Sequence, residues 1–126
     1  MIPYIIQQSE ITTVTGMPVL RALLLHHPDD NTCRHIDDQY YFGENMMVAP
    51  VMNSENKRDI YLPEGEWVHF FTKEIYQGNR WLKDVCVPLD IIPVFVKKGA
   101  CIPLYFDEVS CTDEMDLKKA VAIVYE

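Results

Sequence analysis

Ligand-type side chains crowd one short stretch of the chain, His26-His27-Pro28-Asp29-Asp30-Asn31-Thr32-Cys33-Arg34-His35. Imidazole, carboxylate and thiolate are the groups that hold zinc, but the spacing here follows none of the standard metal patterns. The stretch therefore reads as a polar loop, with no metal site. Acid–base chemistry would draw on the neighbouring carboxylates Asp29-Asp30 or Asp37-Asp38. Adjacent side chains point apart on a strand and diverge by about 100° on a helix, so neither pair converges as an acid and its partner. Capping and solvated roles fit both pairs better. Ser9, Ser54 and Ser110 lack the flanking glycines of a nucleophile elbow. No glycine-rich loop offers amides to a phosphate, and no cofactor is implied.

Trp67 and Trp81 have faces suited to stacking on a sugar ring. Large aromatics on strands more commonly fill a core, and both are read that way. Arg21 interrupts the apolar run Val19–His26; if buried it must be paired. The expected partners are Asp37, Asp38 or groups outside this chain.

The elements that position these residues follow from local chemistry. Pro3 to Thr15 predicts a helix, with Pro3 in the first turn and Gly16 and Pro18 ending it. Val19–His26 is near-continuously apolar and lies between prolines, which suits a parallel strand buried on both faces. Asp37–Phe42 reads as a short helix closed by Gly43. From Met46 onward short β-favouring runs alternate with turns. Strands are expected near 46–52, 57–62, 67–71, 75–76, 81–87, 94–97, 101–104 and 119–125. Turn signals lie at Pro63-Glu64-Gly65, Gly78-Asn79 and Lys98-Gly99. The first of these, between Ile60-Tyr61-Leu62 and Trp67–Phe71, predicts a hairpin. Phe106–Asp116 is acidic and reads as a solvated loop. The fold class is mainly β, an antiparallel β-sandwich preceded by a short helix–strand–helix.

Bulk composition bounds the partners. The formal net charge of −8 argues against a nucleic-acid backbone and against an anionic membrane surface. Cys33, Cys86, Cys101 and Cys111 contain no CxxC pair, and the opening MIPYIIQQSE lacks a cationic segment and a long apolar core. These features lead to an expectation of a soluble, cytoplasmic protein with reduced thiols.

An ordered set of residues resembles a known family. The set runs Gly16-Met17-Pro18-Val19-Leu20-Arg21-Ala22-Leu23; Pro28-Asp29-Asp30; Asp38-Gln39-Tyr40 with Phe42-Gly43; and Val48-Ala49-Pro50-Val51. It continues through Tyr61-Leu62-Pro63 with Gly65 and Trp67; Pro88-Leu89-Asp90 with Ile92-Pro93-Val94-Phe95-Val96; and Gly99-Ala100 with Ile102-Pro103. In this order and spacing, from about Pro3 to Leu104, the chain resembles the C-terminal third of glycoside hydrolase family 31, which contains retaining α-glucosidases and α-xylosidases. Asp29–Cys33 and Gly65–His69 leading to Gly78–Trp81 are similar to bacterial α-xylosidases.

The resemblance implies that residues 1–45 are the last helix–strand–helix of a (β/α)8 catalytic barrel, with Val19–His26 as its eighth strand. Residues 46–126 would be the β-sandwich domain that follows. It further implies that the catalytic carboxylates lie outside these residues, since neither of the family's two aspartate motifs occurs here. The loop after the eighth strand would open on the barrel's active face, making His26, His27 and Asp29 candidates for the rim of the sugar site. The implied partners are an α-linked sugar, through the parent enzyme, and the rest of the barrel. A stand-alone carbohydrate-binding or interaction module is the alternative. Apolar surface left without its barrel would favour self-association.

Overall fold

The structure, a computed structural model, describes all 126 residues. Helix α1 (Ile2–Thr15) carries its proline in the first turn and closes on Gly16, whose φ of 75° is the left-handed cap that glycine adopts without strain. Its buried residues fasten it to the chain ahead. The Tyr4 hydroxyl donates to the Phe42 carbonyl at 2.8 Å, and Gln8 Oε1 accepts from the Glu44 amide at 3.1 Å.

The run Val19–His26 departs from expectation. It divides into a three-residue strand, β1 (Leu20–Ala22), and a single helical turn, α2 (Leu23–His26). β1 pairs antiparallel, not parallel, with β2 (Tyr40–Phe42). A strand at a sheet edge needs only alternate residues inside, and the pattern here is Leu20 out, Arg21 in, Ala22 out. Residues 37–42, expected as a short helix, supply β2 instead, because Tyr40-Tyr41-Phe42 suit a pleated surface with a neighbour on each side. The helical turn in this region is a 3-10 turn at Cys33–His35.

The remaining strands are β3 (Met46–Val48), β4 (Lys57–Leu62), β5 (Glu66–His69), β6 (Ile75–Gln77), β7 (Arg80–Cys86), β8 (Val94–Lys97), β9 (Cys101–Leu104) and β10 (Val121–Val124). Six form one sheet in the order β1-β2-β3-β8-β5-β6, and every pairing is antiparallel. β4–β7 and β9–β10 form two separate ribbons. The sheet continues across residue 45, with Tyr41 opposite Met47, so the boundary expected there falls at the β2–β3 turn inside the sheet.

Both faces of the large sheet are covered, which explains why Met46, Met47 and Val48 are all buried. Tyr41, Met47, Trp67 and Phe95 face the β4–β7 ribbon and pack with Ile60, Tyr61 and Leu62. Met46, Val68 and Val96 face the other way and pack with Tyr4 of α1, Ile102 and Leu104 of β9, and Tyr125. The alternation of side chains along each strand distributes one sequence between two cores.

The hairpin expected at Pro63-Glu64-Gly65 does not form. β4 pairs with β7, while β5 pairs with β6 and β8, so this turn carries the chain from the ribbon to the sheet. Gly78-Asn79 carries it back. The two corners interlock: the Gly78 amide donates to the Gly65 carbonyl at 2.6 Å and the Asn79 amide to the Pro63 carbonyl at 3.2 Å. A Cβ on residue 78 would collide with the Pro63 and Gly65 carbonyl oxygens, so only glycine fits.

Candidate functional site

The polar loop leaves α2 rather than the end of a barrel strand. Its shape is set locally. The Asp30 amide donates to the His27 carbonyl at 3.2 Å, and Asp30 Oδ1 accepts from the Thr32 amide at 2.9 Å, an Asx turn. The loop forms one side of a 440 Å³ cleft with no hydrophobic lining residue. His26, His27, Asp29 and Asp30 line it, joined by Glu64 and Asn79 from the two interlocked corners. The structure therefore brings all three rim candidates together. It adds residues from distant positions that nothing in the linear spacing marks.

Tyr61 is the most connected of the additions. Its hydroxyl donates to Asp30 Oδ2 at 2.7 Å and lies 3.4 Å from Asn79 Oδ1. Burial pushes the Asp30 carboxyl up, but hydrogen bonds from Tyr61, the Thr32 amide and Cys33 outweigh it and hold its pKa below the usual value. Burial, then the bond to Asp30, raises Tyr61 to about 12. Cys33, buried beside the same carboxylate, rises to about 12 and stays a thiol. No three of the His, Cys, Asp and Glu side chains gather around a common point.

Behind the cleft lies Tyr41. His26 stacks on its ring at 4.1 Å, and His27 Nε2 lies 2.7 Å from its hydroxyl. Arg21 is buried, as its position in the apolar run requires, but Asp37 and Asp38 are not its partners. Arg21 Nε donates to the Pro18 carbonyl at 2.6 Å and Nη1 to His26 Nε2 at 3.1 Å. An arginine can only donate, so His26 carries its proton on Nδ1. Asp38 pairs instead with Arg58 at 3.0 Å.

Burial, then Lys97 and Arg21, lowers His26 to about 4 from 6.5. Burial and Lys97 lower His27 as well. The unfolded chain takes up these protons near pH 6.5, whereas folded His26 takes one only near pH 4. Between those values acid favours the unfolded state. The melting temperature is expected to fall as pH drops from 6.5 to 4, with a shallower slope in His26→Gln. An unchanged slope in thermal melts followed by circular dichroism would refute this.

Of the two tryptophans, Trp67 is fully buried, as expected. Trp81 is not a core residue: it is 43% exposed, because Leu82 rather than Trp81 faces inward from β7. Trp81 packs beside Tyr61 at 5.2 Å, under the Lys83 ammonium at 5.0 Å.

Fold and cleft together define an antiparallel β-sandwich domain. Its residues 16–102 match the family model described as glycosyl hydrolase family 31 C-terminal domain, and the chain belongs to that family. It is 37% identical over 82% of its length to an isomaltosyltransferase from Sporosarcina globispora, and covers 10% of that protein. It is 36% identical over 90% of its length to an α-xylosidase from Saccharolobus solfataricus, of which it covers 16%. Among solved structures it resembles a family 31 dextranase from Flavobacterium johnsoniae complexed with isomaltotriose, with a TM-score of 0.76, 42% identity, and coverage of 80% of this chain and 13% of the other. It is similar to a family 31 α-xylosidase from a soil metagenome complexed with xylose, with a TM-score of 0.74, 37% identity, and coverage of 78% and 15%. The chain thus spans only a small part of the relatives it matches.

Proposed function

We propose that this chain is the C-terminal support domain of a retaining α-glycosidase, α-xylosidase- or α-glucosidase-like, and carries no complete active site of its own. The observation that carries this reading is the state of its carboxylates. A retaining mechanism needs a nucleophile and an acid/base roughly 5–5.5 Å apart, both free to act. Here one member of each adjacent pair is already committed, Asp30 to Tyr61 and Asp38 to Arg58, while Asp29 and Asp37 point into solvent. The catalytic pair would come from a barrel docked on the surface where Ile6, Leu20, Leu24 and Leu25 are exposed. In isolation the same surface would serve self-association. The cleft bearing His26, His27 and Asp29 would then meet sugar hydroxyls at the edge of the parent's site. Free cysteines, three of them exposed, support a cytoplasmic setting.

Incubated with p-nitrophenyl α-xyloside and α-glucoside, the isolated chain is expected to release no nitrophenol above background. Turnover above background that is abolished by substitution of Asp29 or Asp30 would overturn the proposal.

A second reading, a stand-alone carbohydrate-binding module, is favoured by the exposed face of Trp81 on a 580 Å³ cleft shared with Tyr76 and Phe95. Saturable quenching of tryptophan fluorescence by xylo- or gluco-oligosaccharides, lost in Trp81→Ala, would establish it.

A further inference from the structure

We propose that the polar cleft is a recognition site for a neutral sugar, in which His26 and His27 present two fixed Nδ1–H donors beside the carboxylates of Asp29 and Glu64. Which ring nitrogen of a histidine carries the proton is decided by the bond that the other makes. Arg21 Nη1 donates to His26 Nε2 at 3.1 Å, so that proton sits on Nδ1. The Tyr41 hydroxyl lies 2.7 Å from His27 Nε2 and has no other partner, and Tyr41 is fully buried. Were the hydroxyl to accept, its own proton would be left unpaired in the core. It therefore donates, and His27 too is protonated on Nδ1.

Both donors reach solvent. Neither Nδ1 has a partner in the protein, and the only buried side-chain nitrogen or oxygen without one is Arg21 Nη2. Of the four cavities, the polar cleft is the one that either ring lines. Burial lowers the pKa of each ring, so both are neutral at pH 7. His26 is held by its face as well, stacked 4.1 Å from Tyr41, and cannot turn to offer its other nitrogen. The donors are thus set before any ligand arrives.

The rest of the lining selects the ligand. Asp29 and Glu64 are exposed carboxylates whose side chains make no bond in the protein, whereas Asp30 is committed to Tyr61. Glu64 is carried on a corner that the Gly78 and Asn79 amides fix in place. A hydroxyl accepts from an N–H and donates to a carboxylate at the same time, so a ring bearing adjacent hydroxyls can use both halves of the site. An anion meets three carboxylates and no lysine or arginine. A cation is drawn to the carboxylates but can use neither N–H. The volume of 440 Å³ is ordinary for a small-molecule site. The choice of a sugar over another neutral polyol rests on the support-domain reading.

The test has two arms, both on the 126-residue chain at pH 7. Long-range proton–nitrogen NMR reads the tautomers, and both rings are expected as Nδ1–H. Tyr41→Phe should release His27 from that form and leave His26 in it, a change that a merely structural tyrosine would not produce. Titration with methyl α-xyloside or methyl α-glucoside should then give a saturable shift of both Nδ1 signals, half-complete in the mM range. Tyr41→Phe and Glu64→Ala should each weaken it about fivefold, the loss of one hydrogen bond of ~1 kcal/mol. Glu64 is exposed, so its variant keeps the proposal falsifiable should the other not fold. Glucuronate and glycerol should give no saturable shift. An Nε2–H form at either ring of the unmodified chain, or no saturable shift with either glycoside, would overturn the proposal. So would unchanged affinity in both variants, or an equal response to glucuronate or glycerol. Tighter binding of glucosamine would assign a cation site and overturn it as well. These arms read tautomer and binding, whereas the nitrophenol assay reads turnover, so failure here and failure of the support-domain reading are told apart.

Discussion

Trp67→Ala is expected to destabilise the domain by about 3–5 kcal/mol, the usual cost of emptying a buried aromatic site. Trp67 is fully buried at the centre of the sheet–ribbon core, with its ring centroid 6.0 Å from that of Tyr41. Its indole Nε1 donates to the Pro63 carbonyl at 2.9 Å, so the side chain also pins the corner where the chain changes layer. The same Pro63 carbonyl accepts from the Asn79 amide, so the loss loosens both interlocked corners. Domains of this size have only about 5–15 kcal/mol in total, so the variant should lose a large share of its stability and unfold at a much lower urea concentration. Trp81→Ala, at a half-exposed position, should cost about 1 kcal/mol or less. Urea denaturation followed by far-UV circular dichroism compares the two without relying on the fluorophore being removed. Equal midpoints for the two variants would contradict the core assignment.

Gln39 carries the second large effect. It is 3% exposed and pairs with both backbone groups of Tyr61: Nε2 donates to the carbonyl and Oε1 accepts from the amide, each at 2.9 Å. The side-chain amide thus imitates a neighbouring strand along the edge of β4 that β7 does not occupy. Arg58 reinforces the join by donating to the Asp38 and Pro50 carbonyls at 3.0 and 2.5 Å. Gln39→Ala leaves two buried backbone groups unpaired and should cost about 2–4 kcal/mol. Gln39→Glu should also destabilise despite its matching shape, since a carboxylate cannot donate to the Tyr61 carbonyl, while the Arg58 guanidinium, which donates to Oε1 at 3.4 Å, offsets part of the added charge. If Gln39→Glu melted with the wild-type protein, this account of the sheet–ribbon junction would be wrong.

These two residues show where sequence reading succeeds and where it stops. Trp67 was recognisable as core, because a large aromatic in a β-favouring run has few other roles. Gln39 gave no such signal, since its partner Tyr61 is 22 positions away. The candidate cleft divides along the same line. His26, His27 and Asp29 stand out in one crowded loop, while Tyr61 reaches Asp30 across 31 positions and Glu64 and Asn79 arrive on separate corners. Trp81 and Trp67 look alike in sequence; the phase of β7 relative to its ribbon put one outside.

By itself, the amino-acid sequence determined the family, the β class and most strand positions, including β8 at Val94–Lys97 and β9 at Cys101–Leu104. Those features rest on side-chain alternation and turn chemistry, which act over a few residues. The tertiary structure alone decided which strands pair. It turned an expected hairpin at Pro63–Gly65 into a layer crossing, made Val19–His26 an antiparallel edge strand and a helical turn, and gave Asp38 to Arg58 while leaving Arg21 without a carboxylate. Pairing depends on contacts between residues far apart in the chain, and their free energy is settled only when both sheet faces and every buried polar group compete for the same partners.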